Sequence, residues 1–318
     1  MSNELQSDPK SDPKNNEDAV GLLSHAETDA LLEAVRPQVL QGTFKADNPR
    51  LLEQLVECLG DSRGMTRLAF AETLGKIGKP AVPFLIEALA NHANVVVRRA
   101  SGKTLTLIAD PIAIPPLIDA LLNDEDTVVK GSAVGALARM GEAAVPVLLD
   151  LLKSPEHPES TKGHAAWAMA FIGAEAKALV YREITSDSVA VRAAVVGAVA
   201  KIAQEDPDDK AFDILINALT DPAENVRSEA ASALGNVAYQ SAVPHLILLL
   251  QHAVGETRKS AALALMKIGQ AETTDAALRD RILEPLQTAL EKESEATIQQ
   301  VIKLAISQIE RQSDEDDW

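Results

Sequence analysis

Three stretches of this sequence repeat one phrase: VRRASGKTLTLI at residues 97–108, VKGSAVGALARM at 129–140 and VRSEAASALGNV at 226–237. In each copy a basic residue is followed by small or apolar residues three and four positions later, a leucine seven later and an apolar residue ten later. This spacing predicts the buried face of an α-helix. The basic position recurs at intervals of 31, 32, 32, 30, 35 and 31 residues. Its occupants are Arg67, Arg98, Lys130, Lys162, Arg192, Arg227 and Arg258. A period in this range predicts a solenoid, in which each unit buries its apolar face against its neighbours.

Proline and glycine mark the expected helix boundaries within the repeats. Proline falls in the first turn of the first helix of a pair, and glycine follows the second helix. The prolines are Pro83, Pro115, Pro146, Pro244 and Pro285, and the glycines are Gly78, Gly141, Gly173 and Gly269. The sequence therefore predicts an all-α fold of about eight pairs, each with a helix A, a short turn and a helix B. The pairs are 48–78, 80–109, 111–141, 142–173, 175–203, 208–238, 241–269 and 275–310.

The segments that flank the repeats at 48–310 have different compositions. Residues 1–20 contain SDPK twice and are too polar to bury a core, so a disordered tail is expected there. Residues 21–47 are predicted to form an N-terminal capping helix that starts after Thr28, whose hydroxyl can cap it. Residues 311–318 form an acidic tail.

Composition and charge argue against several functional classes. The chain has 318 residues and a net charge of −17, which disfavours duplex nucleic acid as a partner. Neither a signal peptide nor an apolar run of the ~18 residues needed to span a membrane is evident, so a cytoplasmic protein is expected. Cys58 is the single cysteine, which rules out an intramolecular disulfide or a cysteine-rich zinc site. No catalytic or metal-binding motif is found, and no metal is predicted.

A second regularity lies six residues before the basic position. Asp61, Asp124 and Asp221 hold this place before Arg67, Lys130 and Arg227, and His92 and His252 hold it in two other repeats. An acid in the turn between helices A and B and a base on helix B can form a ladder of ion pairs along the stack. The two histidines are interpreted as variants of that ladder.

These features resemble HEAT repeats, and the phrase VRxxAAxALGxIGxxxAVPxLIxAL is similar to the HEAT-like repeats of cyanobacterial phycobilin lyases. The resemblance covers about residues 48 to 270. It implies a HEAT-type α-solenoid with a right-handed superhelix. That family attaches, detaches or isomerises open-chain tetrapyrroles on cysteines of antenna proteins.

One repeat carries aromatic side chains where the others carry small or charged ones. Counted from the basic residue, positions +2, +5 and +9 should line the concave face, and in the fourth repeat they are His164, Trp167 and Phe171. Gly135 and Gly197 occupy position +5 in the adjacent repeats. With the cations Lys103, Arg139 and Lys201 at its flanks, such a groove would suit a flat, conjugated, anionic ligand or an apolar side chain of a partner protein. Alternatively, the rings fill the space left by the glycines and belong to the core.

Four other features allow two interpretations each. Arg63 and Arg67 can bind an anion at a helix N-terminus or belong to an ordinary turn. Cys58 can be a buried, inert thiol or share an iron–sulfur cluster across an interface. His245 and His252 can face a metal but lack a third ligand. The loop at 154–160, with His157, can gate the aromatic stripe or be a solvated surface loop.

The resemblance implies a solenoid that binds a phycobiliprotein or another phycobilisome factor, with a bilin as its ligand or substrate and no cofactor of its own. Lys103 or Arg139 would then contact the bilin propionates, Trp167 its plane, and His164 would donate a proton. If the protein is an enzyme, it is a phycobilin lyase-like one without a covalent catalytic residue. The alternative is a non-catalytic scaffold for another protein, such as an iron–sulfur assembly factor.

Overall fold

The computed structural model describes residues 23–316, which contain helices and no β-strand. The chain divides into two compact units, one ending at Thr104 and one beginning at Leu105. The tail expected at residues 1–20 lies outside the described residues.

The first unit contains α1 (His25–Leu40), α2 (Pro49–Glu57), α3 (Gly64–Ile77), α4 (Val82–Asn91) and most of α5 (Val95–Ile108). The second unit contains α6 (Ile114–Asn123), α7 (Thr127–Arg139), α8 (Val145–Lys153), α9 (Glu159–Ile172), α10 (Lys177–Arg182), α11 (Val189–Glu205), α12 (Asp209–Ala218), α13 (Glu224–Asn236), α14 (Val243–Leu249), α15 (Gly255–Gln270), α16 (Ala276–Lys292) and α17 (Ala296–Asp316). Short 3₁₀ helices cover Cys58–Gly60, Lys79–Ala81, Pro111–Ala113, Gly141–Ala144, Gly173–Ala176, Glu183–Thr185 and Gln240–Ala242.

The predicted all-α, HEAT-type solenoid of eight helix pairs is confirmed. The pairs run from α2 with α3 to α16 with α17, and α1 precedes them. In the second unit each B helix packs against the B helix of the next pair, from α7 against α9 to α15 against α17. The core between them is built from aliphatic side chains with no exposed surface, such as Leu137, Val195 and Leu265. Each pair thus buries its apolar stripe against its neighbours, as the repeat period predicts.

The boundary signals are confirmed in the early repeats and wrong in the last ones. Pro83, Pro115, Pro146 and Pro244 lie in the first turn of their helices. Gly78, Gly141 and Gly173 adopt positive φ angles of 73°, 59° and 49°.

Pro285 and Gly269, by contrast, lie inside α16 and α15. The side chain of Asp275 caps α16 ten residues before the proline by accepting a bond from the Leu278 N–H. Gly269 permits close packing, since a Cβ there would lie 2.8 Å from Cγ1 of Ile309.

Both ends of the solenoid also differ from expectation. The first helix begins at His25, because Ser24 and Glu27 form a capping box around its N-terminus. Thr28 is buried in its first turn and donates a hydrogen bond to the Ser24 carbonyl, so it does not cap the helix. At the other end, α17 continues to Asp316, so the described part of the acidic tail, residues 311–316, is helical.

The ladder of basic and acidic residues runs from one repeat to the next. The guanidinium of Arg192 donates to the carbonyl oxygens of Ser186 and Asp187 in its own turn, at 2.8 and 3.2 Å. Its other two nitrogens reach the Asp221 carboxylate of the following repeat, at 2.7 and 3.0 Å. Arg258 repeats this arrangement with Glu293. The base therefore ties its own turn through backbone carbonyls and the next repeat through a side chain.

His92 and His252, which hold the turn position in two repeats, make the same backbone contact there as the aspartates. Nδ1 of His92 accepts the N–H of Asn94 at 3.0 Å, and Nδ1 of His252 accepts that of Val254 at 3.1 Å. Oδ1 of Asp221 accepts the N–H of Ala223 in the same way. Both histidines thus share the turn contact of the aspartates, but Arg227 bonds to Thr257 rather than to His252, and His92 contacts Glu57, so their role in the ladder stays an interpretation.

Candidate functional site

Trp167 and Phe171 form an exposed aromatic pair on α9. They are one helical turn apart, and their ring centroids lie 5.5 Å from each other with an interplanar angle of 29°. The two residues keep 52% and 50% of their surface exposed, whereas Ala165 and Ala168 on the opposite face of α9 are fully buried. The rings therefore lie outside the core, which is not where the alternative of gap-filling aromatics would place them.

A groove of about 800 Å³ opens beside Trp167, between α9 and α11, and reaches α13. The α9 wall presents Gly163, Trp167 and Ala170, which are positions +1, +5 and +8 of the repeat. The opposite wall is formed largely by the small residues Ala193 and Gly197. The complete lining is Leu152, Lys153, Pro155, Glu159, Lys162, Gly163, Ala166, Trp167, Ala170, Ser188, Val189, Ala190, Ala193, Ala194, Gly197, Asn225 and Glu229. The groove thus has one aromatic residue and walls made mostly of small apolar ones.

Glycines keep the surface around Trp167 open. A Cβ added at Gly135 or Gly163 would meet nothing within 4 Å. At Gly197 it would meet the carboxylate of Glu229, with Oε1 at 3.5 Å. Open space therefore adjoins Trp167 towards α7, and a carboxylate borders the groove on the far side of α11.

The charged residues of the groove form weak pairs or none. Lys162 lies 3.2 Å from Glu159, whose side chain is 90% exposed, and Lys153 lies 3.5 Å from Glu183. One member of each pair is exposed to solvent, Glu159 in the first and Lys153 in the second, which weakens both pairs. Packing of protein around the Glu229 carboxylate removes water from it and raises its pKa above the usual range. The groove accordingly offers two ammonium groups near the α8–α9 turn and a carboxylate on α13.

The structure brings together some of the predicted site residues and separates others. His164 is partly exposed one turn before Trp167, and Arg139 is exposed at the end of α7. Lys201 pairs with Glu205 on its own helix at 2.9 Å. Lys103 is exposed on α5 and belongs to the first unit. Only Trp167 of the six predicted ligand-binding residues lines the groove.

Sequence reasoning missed the other groove residues because it placed the open stripe at positions +2, +5 and +9. The groove follows +1, +5 and +8 on α9, about one residue round the helix. The signal that could have shown this is the occupancy of position +1, which is Gly163 in the fourth repeat and Ala193 in the fifth. Lys162 holds the recurring basic position and Glu229 holds position +2 of the sixth repeat, but neither residue type marks a groove, since charged residues are common on every exposed face; Lys153 carries no sequence signal of its own.

The turn between α8 and α9 borders the groove. It covers residues 154–158, between the end of α8 and the start of α9, and its Pro155 lines the groove. The Ser154 hydroxyl accepts the N–H of Glu156 at 3.3 Å, which is the role that aspartate plays in other turns. His157 is partly exposed in this turn. A gating role for the loop stays a prediction.

The predicted anion site at Arg63 and Arg67 has protein oxygens around both guanidinium groups. Arg63 forms salt bridges with Asp29 and Asp61, both at 2.8 Å. Arg67 donates to the backbone carbonyls of Asp61 and Ser62. Anion binding there stays a prediction, and this geometry favours the ordinary turn.

Cys58 is buried, with 3% of its surface exposed. Burial, reinforced by the nearby Asp61, raises the pKa of its thiol to about 11. This supports the inert thiol, because a group without access to solvent cannot share a cluster with another protein. Elsewhere in the described residues, no group of three or more metal-ligating side chains is found, and no helix is both long and apolar enough to cross a membrane.

A polar cluster that sequence analysis did not single out holds the connection between α11 and α12. Lys177 on α10 lies 2.7 Å from Asp206 and 2.6 Å from Asp208. The hydroxyl of Tyr181 donates to Asp208 at 3.1 Å, and burial together with this carboxylate raises the pKa of Tyr181 to about 12. Every member has a partner, so the cluster is structural.

Comparison with protein families identifies the repeats. HEAT repeats match residues 82–170 and 212–285, and the PBS lyase HEAT-like repeat matches residues 66–91. The bilin biosynthesis protein MpeU of Synechococcus sp. (strain WH8020) is 34% identical over 291 residues, which are 91% of this chain and 95% of that protein. The uncharacterized phycocyanin operon protein Z of Pseudanabaena tenuis (strain PCC 7409) is 28% identical over 131 residues, 39% of this chain and 65% of that protein.

Comparison with solved structures gives the same fold. A mutant of the karyopherin Kap121p matches 92% of this chain and 38% of its own, with a TM-score of 0.56 and 16% identity. A chain from the complex of CpcE and CpcF of phycocyanin lyase from Nostoc sp. PCC7120 matches 51% of this chain and 98% of its own, with a TM-score of 0.43 and 26% identity.

Proposed function

Since this chain belongs to the HEAT-repeat family of the bilin biosynthesis protein MpeU, we propose that it acts like a phycobilin lyase, handling a bilin for a phycobiliprotein, and that the bilin binds in the groove beside Trp167. The similarity extends over 91% of this chain and 95% of MpeU, so it covers the whole repeat array.

The observation that carries the site is the exposed indole of Trp167 at the edge of a groove of about 800 Å³. Pockets for small molecules and cofactors usually have volumes of roughly 300–1,000 Å³ and few polar groups. A bilin is a flat, conjugated tetrapyrrole with two propionates. Its plane matches an aromatic side chain, and its propionates match the ammonium groups of Lys153 and Lys162.

The remaining predicted residues extend this site along α9. Phe171 continues the aromatic surface beyond the groove, and His164 lies one turn before Trp167, where it can exchange a proton with a bound bilin. Arg139 at the end of α7 and Lys201 on α11 are second candidates for the propionates. Lys103 lies in the other unit and stays a prediction.

The chemistry that this site supports is positioning. In a lyase-like reaction the nucleophile is a cysteine of the acceptor protein, and Cys58 of this chain is buried with a raised thiol pKa. The solenoid would hold the bilin beside that acceptor cysteine, and orientation of two reactants can lower a barrier by up to about 7–11 kcal/mol in ideal cases. We infer that the protein acts in the cytoplasm, where the bilin and its acceptor would meet.

This chain also offers an exposed apolar surface to a protein partner at the same place. Trp167, Phe171 and Val189 have between 41% and 52% of their surfaces exposed. Large apolar side chains of this kind are the usual anchors of protein interfaces. The phycobiliprotein would therefore contact the rim of the groove, while the bilin lies within it.

The test is a titration of the purified protein with phycocyanobilin, followed by tryptophan fluorescence and by induced circular dichroism in the visible. Trp318 is first replaced by phenylalanine, so that Trp167 is the remaining fluorophore of its kind. Saturable quenching with an induced visible band, both lost in Trp167→Ala, is the expected result. Leu248→Ala is the matched control, because Leu248 is also an exposed apolar residue, 72% exposed, but lies on α14 away from the groove.

Two outcomes would contradict the proposal. If Trp167→Ala binds bilin as tightly as the parent, the bilin lies elsewhere. If the parent protein shows no quenching at tens of micromolar bilin, the surface is a docking site for a protein alone, which is the scaffold alternative.

A further inference from the structure

The Glu229 carboxylate lies across the groove from Trp167 and has no cation to balance it. It projects from α13 towards α11, where its Oε1 lies 3.5 Å from the place that a side chain on Gly197 would occupy. An alanine Cβ at this distance would be in ordinary contact with it, so only a longer side chain at position 197 would displace it. The absence of a side chain on Gly197 therefore allows an acid of one repeat to line the groove of the preceding one.

The surroundings of this carboxylate differ from those of the ladder acids. The ladder acids Asp221 and Glu293 form bidentate pairs with Arg192 and Arg258. Among the described residues, no lysine or arginine forms a salt bridge with Glu229, and the groove lysines lie with Glu159 and Glu183 instead. The adjacent wall of the groove consists of Ala190, Ala193 and Ala194. Glu229 is exposed to solvent as a whole, and the packing of protein near its carboxylate raises its pKa.

We propose that Glu229 accepts hydrogen bonds from the pyrrole N–H groups of the bilin and so fixes which edge of the tetrapyrrole faces α13. This assignment rests on the proposed function and goes beyond it, because it gives the ligand an orientation. The N–H groups of a bilin lie on its inner edge and its propionates on the outer edge. An acceptor on α13 and ammonium groups at the α8–α9 turn match these two edges.

The proposal explains two features of the groove together. The ligand would supply the hydrogen-bond donors that no described side chain provides, and a small residue at position 197 leaves the carboxylate room to line the groove. A charge-assisted hydrogen bond in such a site is stronger than a neutral one, and glutamine at 229 would keep the shape while weakening the acceptor.

The experiment measures the affinity of three proteins for phycocyanobilin and for its dimethyl ester. The proteins are the parent, Glu229→Gln and Lys162→Met, all with Trp318 replaced. Glu229→Gln should raise the Kd about tenfold or more for both ligands, because esterification leaves the N–H groups intact. Lys162→Met should weaken binding of the free acid and leave that of the ester unchanged. Glu224→Gln is the matched control, since it removes the same charge from an exposed position of α13 outside the groove.

The outcomes separate this inference from the proposed function. If the parent protein binds no bilin, the proposed function fails, and the assignment fails with it. If the parent binds and Glu229→Gln binds equally well, the assignment alone is overturned. A Glu229→Asp variant guards against misfolding: it keeps the charge one methylene further away and should bind with an affinity between those of the parent and Glu229→Gln.

Discussion

The B helices α9 and α11 differ from the B helices α13 and α15, although the recurring basic position marks all four in the sequence. Between α13 and α15, a Cβ added at Gly235 would lie 2.8 Å from the Cα of Ala264. On α9, a Cβ added at Gly163 would meet nothing within 4 Å. Glycine therefore allows two helices to pack closely in one region and leaves a groove open in the other.

The ion pairs of the ladder also differ between these two regions. Arg258, at the start of α15, contacts Glu293, Glu295 and two backbone carbonyls, and the Glu293 side chain is 3% exposed. Lys162, at the equivalent place on α9, pairs with Glu159, which is 90% exposed. The later repeats are thus joined by buried polar contacts, whereas the fourth repeat leaves its groups accessible.

The largest expected effect on stability comes from removing the ladder cation that pairs with Glu293. Arg258→Met should lower the free energy of unfolding by about 3 kcal/mol, because it leaves the Glu293 carboxylate buried without its cation. Backbone N–H groups of Ser294 and Glu295 still donate to that carboxylate, so the loss should lie at the lower end of the range for broken buried pairs. Urea denaturation followed by far-ultraviolet circular dichroism measures it.

Lys162→Met makes the matched change in the fourth repeat. It should cost less than about 1 kcal/mol, because its partner is exposed to water. Equal losses for the two variants would remove the distinction between the regions.

The second prediction uses the pH dependence of stability, which should have opposite signs for the two acids. Hydrogen bonds from Arg258 lower the pKa of Glu293 to about 2 from the usual 4.5. Its contribution to stability is therefore complete above about pH 4.5 and is lost as the pH falls towards 2. Glu229 has a raised pKa, so its protonated form stabilises the fold, and that contribution disappears as the pH rises through the folded value.

Glu293→Gln should therefore flatten the loss of stability between pH 4.5 and 2, relative to the parent protein. Glu229→Gln should leave the loss of stability between pH 4.5 and 2 unchanged, and it should slightly raise the free energy of unfolding at neutral pH. Thermal melts at a series of pH values in constant ionic strength give both slopes. A parent and a Glu293→Gln variant with the same slope would show that the buried pair does not control acid sensitivity.

The repeat period was enough to predict the eight helix pairs, because the spacing of small and apolar residues on helix B is a local property of the sequence. The first turns at Pro83 and Pro115 were predictable for the same reason. Pro285 and Gly269 were not, since an earlier cap at Asp275 and the packing of Ile309 decide their roles. The aromatic pair was predicted as unusual from composition. The walls of the groove depend on the rotation of α9 and α11 about their axes, which the period alone does not fix.

The smallest expected effects come from adding one methyl group in each region. Gly235→Ala should destabilise the protein by about 1–3 kcal/mol, because the new Cβ would overlap the backbone of Ala264 and that backbone cannot move without moving α15. Gly163→Ala lies within α9 and meets no atom within 4 Å, so the higher helix propensity of alanine should stabilise the protein by about 0.5–1 kcal/mol. The same methyl group would enter the groove beside Trp167 and should weaken bilin binding while the fold becomes more stable. Urea midpoints of the two variants, measured side by side, test the opposite signs; a loss of stability in Gly163→Ala would mean that α9 is packed as closely as α13, and that the groove is not open.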